Sequence, residues 1–192
     1  MKLVILDNGH GEDTPGKRSP DGSHREYMWC RRAVAAIAGG LEARGLEVAV
    51  LVPEEGDVSL AERCRRANAL ARGRDAIVVS VHNNASGSGV AWGTACGWSV
   101  FVAPTASEAS RRLASTLYGH AAAAGILGNR CTPPAGYWTA PLAICRRVMC
   151  PAVLTENMFQ DNRTDVAFLQ SEAGFRTVVD VHIRAITEYF GL

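Results

Sequence analysis

A chain of 192 residues is long enough for one domain and buries roughly 70% of the surface its unfolded form exposes, so no disulfide scaffold is needed to hold it. Its composition, 47% hydrophobic and 20% charged, excludes a disordered or collagen-like chain. Twenty Lys and Arg against 19 Asp and Glu leave +1, which removes any global electrostatic case for nucleic acid or an anionic membrane and places binding in a local site.

Residues 2–7 form a short apolar run that ends in Asp7-Asn8-Gly9-His10-Gly11, the pattern of a buried strand running into a loop. The four apolar residues before Asp7 are too few for the h-region of a signal peptide, and no run approaches the ~20 residues of a membrane-spanning helix. A loop rich in Gly, Pro and charge continues to about residue 22. From there to Arg44, Tyr27, Val34, Ile37 and Leu41 recur at helical spacing, with Gly45 as the stop. Leu46 to Val52 reads as a strand closed by Pro53. Ser59 is a candidate N-cap for a helix through Arg72, with Glu62 at the capping-box position. Residues 76–81 form the clearest central strand, Gly97 to Val102 another, Ser107 to Ala124 a helix and Ala152 to Leu154 a short buried strand. The end, about 165–190, reads as two helical pieces broken near Gly174. This alternation predicts an α/β fold: a single three-layer domain over 1–192, with a twisted, largely parallel or mixed sheet flanked by helices.

In an open α/β sheet, ligands bind beyond the carboxyl ends of the strands. The first strand leads to His10, the central strand to His82 and the late strand to Glu156, while Glu26 lies near the start of the helix that follows strand one. Topology alone therefore sets four chemically active residues on one rim. Two imidazoles and a carboxylate, with a water in the fourth position, form a known ligand set for catalytic zinc, and a second carboxylate beside that water can serve as base.

Five ordered motifs carry a family resemblance. Leu6-Asp7-Asn8-Gly9-His10-Gly11 resembles L-D-P-G-H-G, Gly22-Ser23-His24-Arg25-Glu26 a following Gly…Glu, and Ser80-Val81-His82-Asn83-Asn84-Ala85 fits S-x-H-x-N-A. Leu60 to Asn68 is similar to L-x-x-R-x-x-x-A-N, and Val153 to Phe159 with Asn162 to V-L-x-E-x-G-F-x-x-N. Together they resemble the zinc-dependent N-acetylmuramoyl-L-alanine amidases of the type 3 family, which are cell-wall hydrolases. The resemblance implies that His10, Glu26 and His82 hold Zn2+ and that Glu156 is catalytic. It also implies peptidoglycan or a muropeptide as substrate, cut between N-acetylmuramic acid and L-alanine. A zinc peptidase acting on the stem peptide and a non-catalytic wall-binding module are the rival readings. Asn8 for Pro, Glu12 for Gly and Met158 for Gly depart from the pattern without removing a ligand.

His24 competes with Glu26 from two residues away, and Glu26 is preferred because the two side chains point differently at a helix start. His120 and His182 fall inside amphipathic helices, and the Arg pairs at 31/32, 65/66, 111/112 and 146/147 read as solvated faces. Asn84 is a candidate for substrate contact, and so are Trp92, Trp98, Tyr137 and Trp138, since aromatics in loops stack on sugar rings or cover a peptide stem; core or lid packing is the alternative for the aromatics. Glu12 and Asp13 read as solvated loop carboxylates. The six cysteines show no Cys-x-x-Cys pair and read mostly as buried free thiols. With no wall-anchoring repeat and no visible leader, the chain is expected to be a phage or prophage lysin, cytoplasmic until host lysis, or a recycling enzyme, or else to reach the cell wall by an export route the sequence does not encode.

Overall fold

A computed structural model describes residues 2–192. In chain order the elements are β1 (Leu3–Asn8), α1 (Glu26–Glu42), β2 (Glu47–Val50), α2 (Leu60–Ala71), β3 (Ala76–Asn84), β4 (Ser99–Val102), α3 (Glu108–Ala123), β5 (Trp138–Thr139), α4 (Ala143–Arg147), β6 (Ala152–Phe159), α5 (Arg163–Gln170) and α6 (Glu172–Tyr189). The six strands form one sheet in the order β2-β1-β3-β6-β4-β5. All neighbours are parallel except β4 against β6, so the sheet is mixed.

The period-2 alternation of the strands divides the core into two layers. Val4 and Leu6 of β1, Ile77, Val79 and Val81 of β3 and Val153 of β6 face α1, α3 and α6. Leu3 and Ile5, Val78, and Ala152 with Leu154 face the smaller layer under α2 and α4. Helix caps follow the chemistry of the sequence: Ser59, Ser107, Asn162 and Ser171 each accept a backbone N–H from the first turn of their helix. The break between the last two helices therefore falls at Ser171, three residues before Gly174. No helix among the described residues is long and apolar enough to cross a membrane.

Strand β6 runs to Phe159, well beyond the three residues its apolar run predicts. Thr155, Glu156 and Asn157 interrupt the apolar pattern, yet the two flanking residues are buried with partners. Thr155 Oγ1 meets His182 Nε2 at 2.9 Å, and Asn157 donates to the His82 carbonyl and accepts from Trp98 Nε1. His182 itself is fully buried, and burial pulls its pKa down to about 4, so it stands neutral in the core. Helix α4 and strand β5 lie in stretches with no periodicity of their own.

The register between β3 and β6 shifts just after the centre of the sheet: His82 pairs with Glu156, whereas Asn84 pairs with Phe159. Three steps on β6 match two on β3, so β6 bulges, and Met158 within the bulge takes the left-handed backbone at φ +62°. This explains why the family pattern has Gly here. A side chain in that conformation costs roughly 1–2 kcal/mol. Met158→Gly and Met158→Ala both empty a buried site, but only Gly relieves the backbone. Chemical denaturation should therefore find the Gly variant more stable than the Ala variant by about 1 kcal/mol, the reverse of their usual order in a strand. An Ala variant as stable as the Gly variant would show that the bulge is unstrained.

Candidate active site

The carboxyl ends of β1, β3 and β6 open into a cavity of about 240 Å³ on the α2/α4 side of the sheet. Its lining includes Asp7, His10, Ser80, His82 and Glu156 from the strand ends, with Lys17, Asp57, Leu60, Arg63 and Leu142 around them. His82 and Glu156 are register partners, so the sheet itself sets them side by side. Glu26 begins α1 and is fully buried.

Glu26 Oε1 stands 3.4 Å from His10 Nε2 and 3.1 Å from His82 Nδ1, and one ligand atom from each of the three residues lies within 4.8 Å of the others. A tetrahedral zinc with bonds of ~2.0–2.1 Å sets its donors about 3.3 Å apart, so the group has the donor chemistry of such a site and the two Glu26 contacts have its spacing. A second observation agrees. Among the described residues Glu156 Oε2, buried in the same cavity, has no hydrogen-bond partner, and an orphaned carboxylate oxygen requires something to meet.

The surroundings hold the three residues in place. Asn83 N–H donates to Glu26 Oε1 at 3.0 Å and Gln160 Nε2 to Glu26 Oε2 at 3.0 Å. A Cβ on Gly9 would stand 2.5 Å from His82 Nδ1, and one on Gly11 would stand 2.1 Å from the Asp57 nitrogen, so both glycines of the Gly-His-Gly segment are spent on close approach. Between them His10 adopts φ +60°, a conformation histidine tolerates better than most side chains. Its carbonyl accepts from Arg31 at 3.1 Å and Arg63 at 3.3 Å.

Buried Arg63 uses every guanidinium hydrogen. It donates to the Val58, Asn8 and His10 carbonyls, to Asp7 Oδ1 at 2.7 Å and to Asp57 Oδ1 at 3.0 Å. It thus locks the end of β1 to the start of α2, which gives the arginine of the L-x-x-R motif its purpose. Removing one side of such a buried pair typically costs ~3–5 kcal/mol. Asn8, which replaces the usual proline, is buried and donates from Nδ2 to the Val52 carbonyl at 3.0 Å.

The electrostatics separate the two carboxylates. Burial alone would raise the pKa of Glu26, but the hydrogen bond and charge of His82, with His10 and Lys17, hold it below the ordinary value. Burial pushes the Glu156 carboxyl up to about 7, and the charge of Glu26 adds to that shift. Burial lowers His10 to about 4, so its imidazole is neutral and free to donate a lone pair.

Other residues singled out by sequence fall elsewhere. His24 is buried but turned away from the cluster, its Nε2 donating to Asn83 Oδ1 at 2.8 Å. Asn84, Trp92, Tyr137 and Trp138 do not line the cavity. Asn84 Oδ1 accepts from Ala85 N–H, Trp92 lies under Arg163, Tyr137 packs on the core and Trp138 lies under Arg130. His120 meets Glu188 on the outer face of α3. Arg31 is no solvated-face residue: it binds the His10, Tyr27, Glu54 and Glu55 carbonyls. Asp13, although exposed, caps Asp57 N–H at 2.7 Å. The cysteines are all free, but only Cys30 and Cys64 are buried and Cys131 is exposed. Sequence reasoning missed Gln160, Lys17 and Asp57. Only the neighbourhood of a motif could have flagged Gln160, and nothing marked the other two.

Comparison with known proteins points to one family. The sequence pattern of the family described as N-acetylmuramoyl-L-alanine amidase matches residues 4–188. The endolysin of Bacillus phage SPP1 is 30% identical over 193 residues, spanning 100% of this chain and 67% of that protein. The N-acetylmuramoyl-L-alanine amidase CwlM of Bacillus licheniformis is 27% identical over 194 residues, spanning 100% and 70%. Among solved structures, the N-acetylmuramyl-L-alanine amidase Ami1 of Mycobacterium smegmatis has a TM-score of 0.85 at 20% identity, covering 98% of this chain and 96% of that one. The catalytic domain of CwlV from Bacillus (Paenibacillus) polymyxa var. colistinus has a TM-score of 0.82 at 24% identity, covering 99% and 98%. At such identities the solved structures establish the fold, and the family match across nearly the whole chain establishes more: this protein belongs to the N-acetylmuramoyl-L-alanine amidases.

Proposed function

We propose that residues 1–192 act as one catalytic unit, a zinc-dependent hydrolase that cuts the amide between the lactyl group of N-acetylmuramic acid and L-alanine. The observation that carries this reading is the convergence of His10, Glu26 and His82 donor atoms beside the orphaned oxygen of Glu156. His10 Nε2, Glu26 Oε1 and His82 Nδ1 would hold the ion. Zinc bound there supplies Lewis acidity toward the amide carbonyl and a lower pKa for water.

The chain's own residues do the rest. Glu156, placed beside His82 by strand register, takes a proton from the attacking water and passes it to the leaving nitrogen. Its carboxyl, raised to about 7 by burial, is matched to both halves of that transfer. Gln160 and the Asn83 amide keep Glu26 from rotating, and Arg63 fixes the strand end that carries His10. Leu60, Leu142 and Leu154 line the cavity with apolar surface against which a glycan or peptide excludes water.

Digestion of purified peptidoglycan tests the reading. The expected products are intact glycan strands and stem peptides with a free L-alanine amino group, and a chelator should stop their release. Cleavage within the stem peptide would instead make the protein a zinc peptidase. The relationship to a phage endolysin supports action on the cell wall as a lysin.

A further inference from the structure

Two basic side chains line the cavity, and they are in opposite states. Arg63 is saturated by five acceptors. Lys17 makes no ion pair among the described residues, although its charge is felt at His10, Glu26 and Glu156. It is also not a loosely hung surface lysine. Residues 17–26 form a small hairpin in which the Lys17 carbonyl accepts from Glu26 N–H at 3.1 Å, Ser19 N–H donates to the His24 carbonyl at 2.9 Å, and Arg18 bridges Arg25. The same backbone bond that seats Glu26 therefore sets the half-buried Lys17 beside it.

From this arrangement we infer that Lys17 is a specificity-determining residue, receiving a substrate carboxylate borne by the amino acid next to L-alanine in the stem peptide. An ammonium in a cleft with apolar walls loses hydration when a ligand enters, and that loss is recovered only if the ligand brings an anion. None of the carboxylates lining the cavity pairs with it among the described residues: Glu156, the one with a free oxygen, is the proposed proton carrier, and burial disfavours its charge. Asp7 and Asp57 are held by Arg63, and Glu26 faces the two imidazoles. Lysine's compact charge on a flexible stem suits an acceptor whose position shifts as the peptide settles. The inference rests on the amidase reading and adds a preference within it: an acidic second residue over its carboxamide.

Two soluble muropeptides that differ only at that carboxylate, free in one and amidated in the other, test it. Wild type should favour the acid about 10- to 100-fold in kcat/KM, the range of a charge-assisted hydrogen bond. Lys17→Met should bring the ratio close to one, chiefly through KM for the acid, and Lys17→Arg should restore most of it. The backbone bond to Glu26 survives either substitution, so zinc content should not change. A wild type without preference, or a Met variant that keeps it, overturns the assignment. So does an equal kcat loss on both substrates, which would place Lys17 at the reacting carbonyl instead. Calorimetric titration with L-alanyl-glutamate and its amide reads the same preference without turnover. Failure to cleave either muropeptide thus counts against the amidase reading, and loss of the binding preference counts against Lys17.

Discussion

Glu156→Gln should lower the rate of stem-peptide release by ~10²–10⁴-fold, toward the upper end because an amide's nitrogen leaves only when protonated. Glutamine keeps nearly the volume and polarity of glutamate. Fold and metal content should therefore stay as in wild type, and the variant should still bind peptidoglycan through the rest of the cleft. The neighbouring elements favour this outcome: Glu156 Oε2 has no partner to lose, and the residues around it on β6 are anchored independently through Thr155 and Asn157. Rates and zinc content measured on the same preparations decide the matter. A variant that releases peptides at the wild-type rate removes Glu156 from the chemistry. A wild type that binds the wall with zinc in place and releases nothing makes the protein a wall-binding module.

The second large effect concerns the metal. Elemental analysis should find about one zinc per chain, and His10→Ala, Glu26→Ala or His82→Ala should each weaken binding by more than the ~10–100-fold that loss of a supporting partner costs. Gln160→Leu, which removes only the hydrogen bond to Glu26 Oε2, should fall within that smaller range. His24→Ala should retain the metal, because the His24 ring is turned toward Asn83 and away from the cluster. This ordering separates ligand from neighbour. If His24→Ala releases zinc while Glu26→Ala keeps it, the carboxylate has been misassigned. Wild-type protein that binds no zinc on equilibrium dialysis would sink the site altogether.

Much of this was legible in the sequence because the signals are local. Runs of apolar residues marked β1 and β3, and Ser59 announced its helix, since an N-cap hydroxyl works on the first turn of its own helix. The placement of His10, His82 and Glu156 also followed from the sequence, because each comes at or just after the end of an apolar strand and strand ends in an α/β sheet converge. The extent of β6 did not follow. Thr155 and Asn157 are polar residues made acceptable in the core by partners 27 and 59 positions away, and no local pattern encodes those.

By itself the sequence determined the α/β class, the order of the main elements and a short set of candidate metal-binding residues that still held both Glu26 and His24. Only the tertiary structure decided that β4 runs antiparallel to β6, that Glu26 rather than His24 joins the two imidazoles, and that Arg63 is spent on Asp7 and Asp57 while Lys17 makes no ion pair among the described residues. The reason is one of range. Propensity and periodicity act over a few residues, whereas whether a charge is free or compensated depends on which side chains folding brings within about 4 Å, and that distance has no counterpart along the chain.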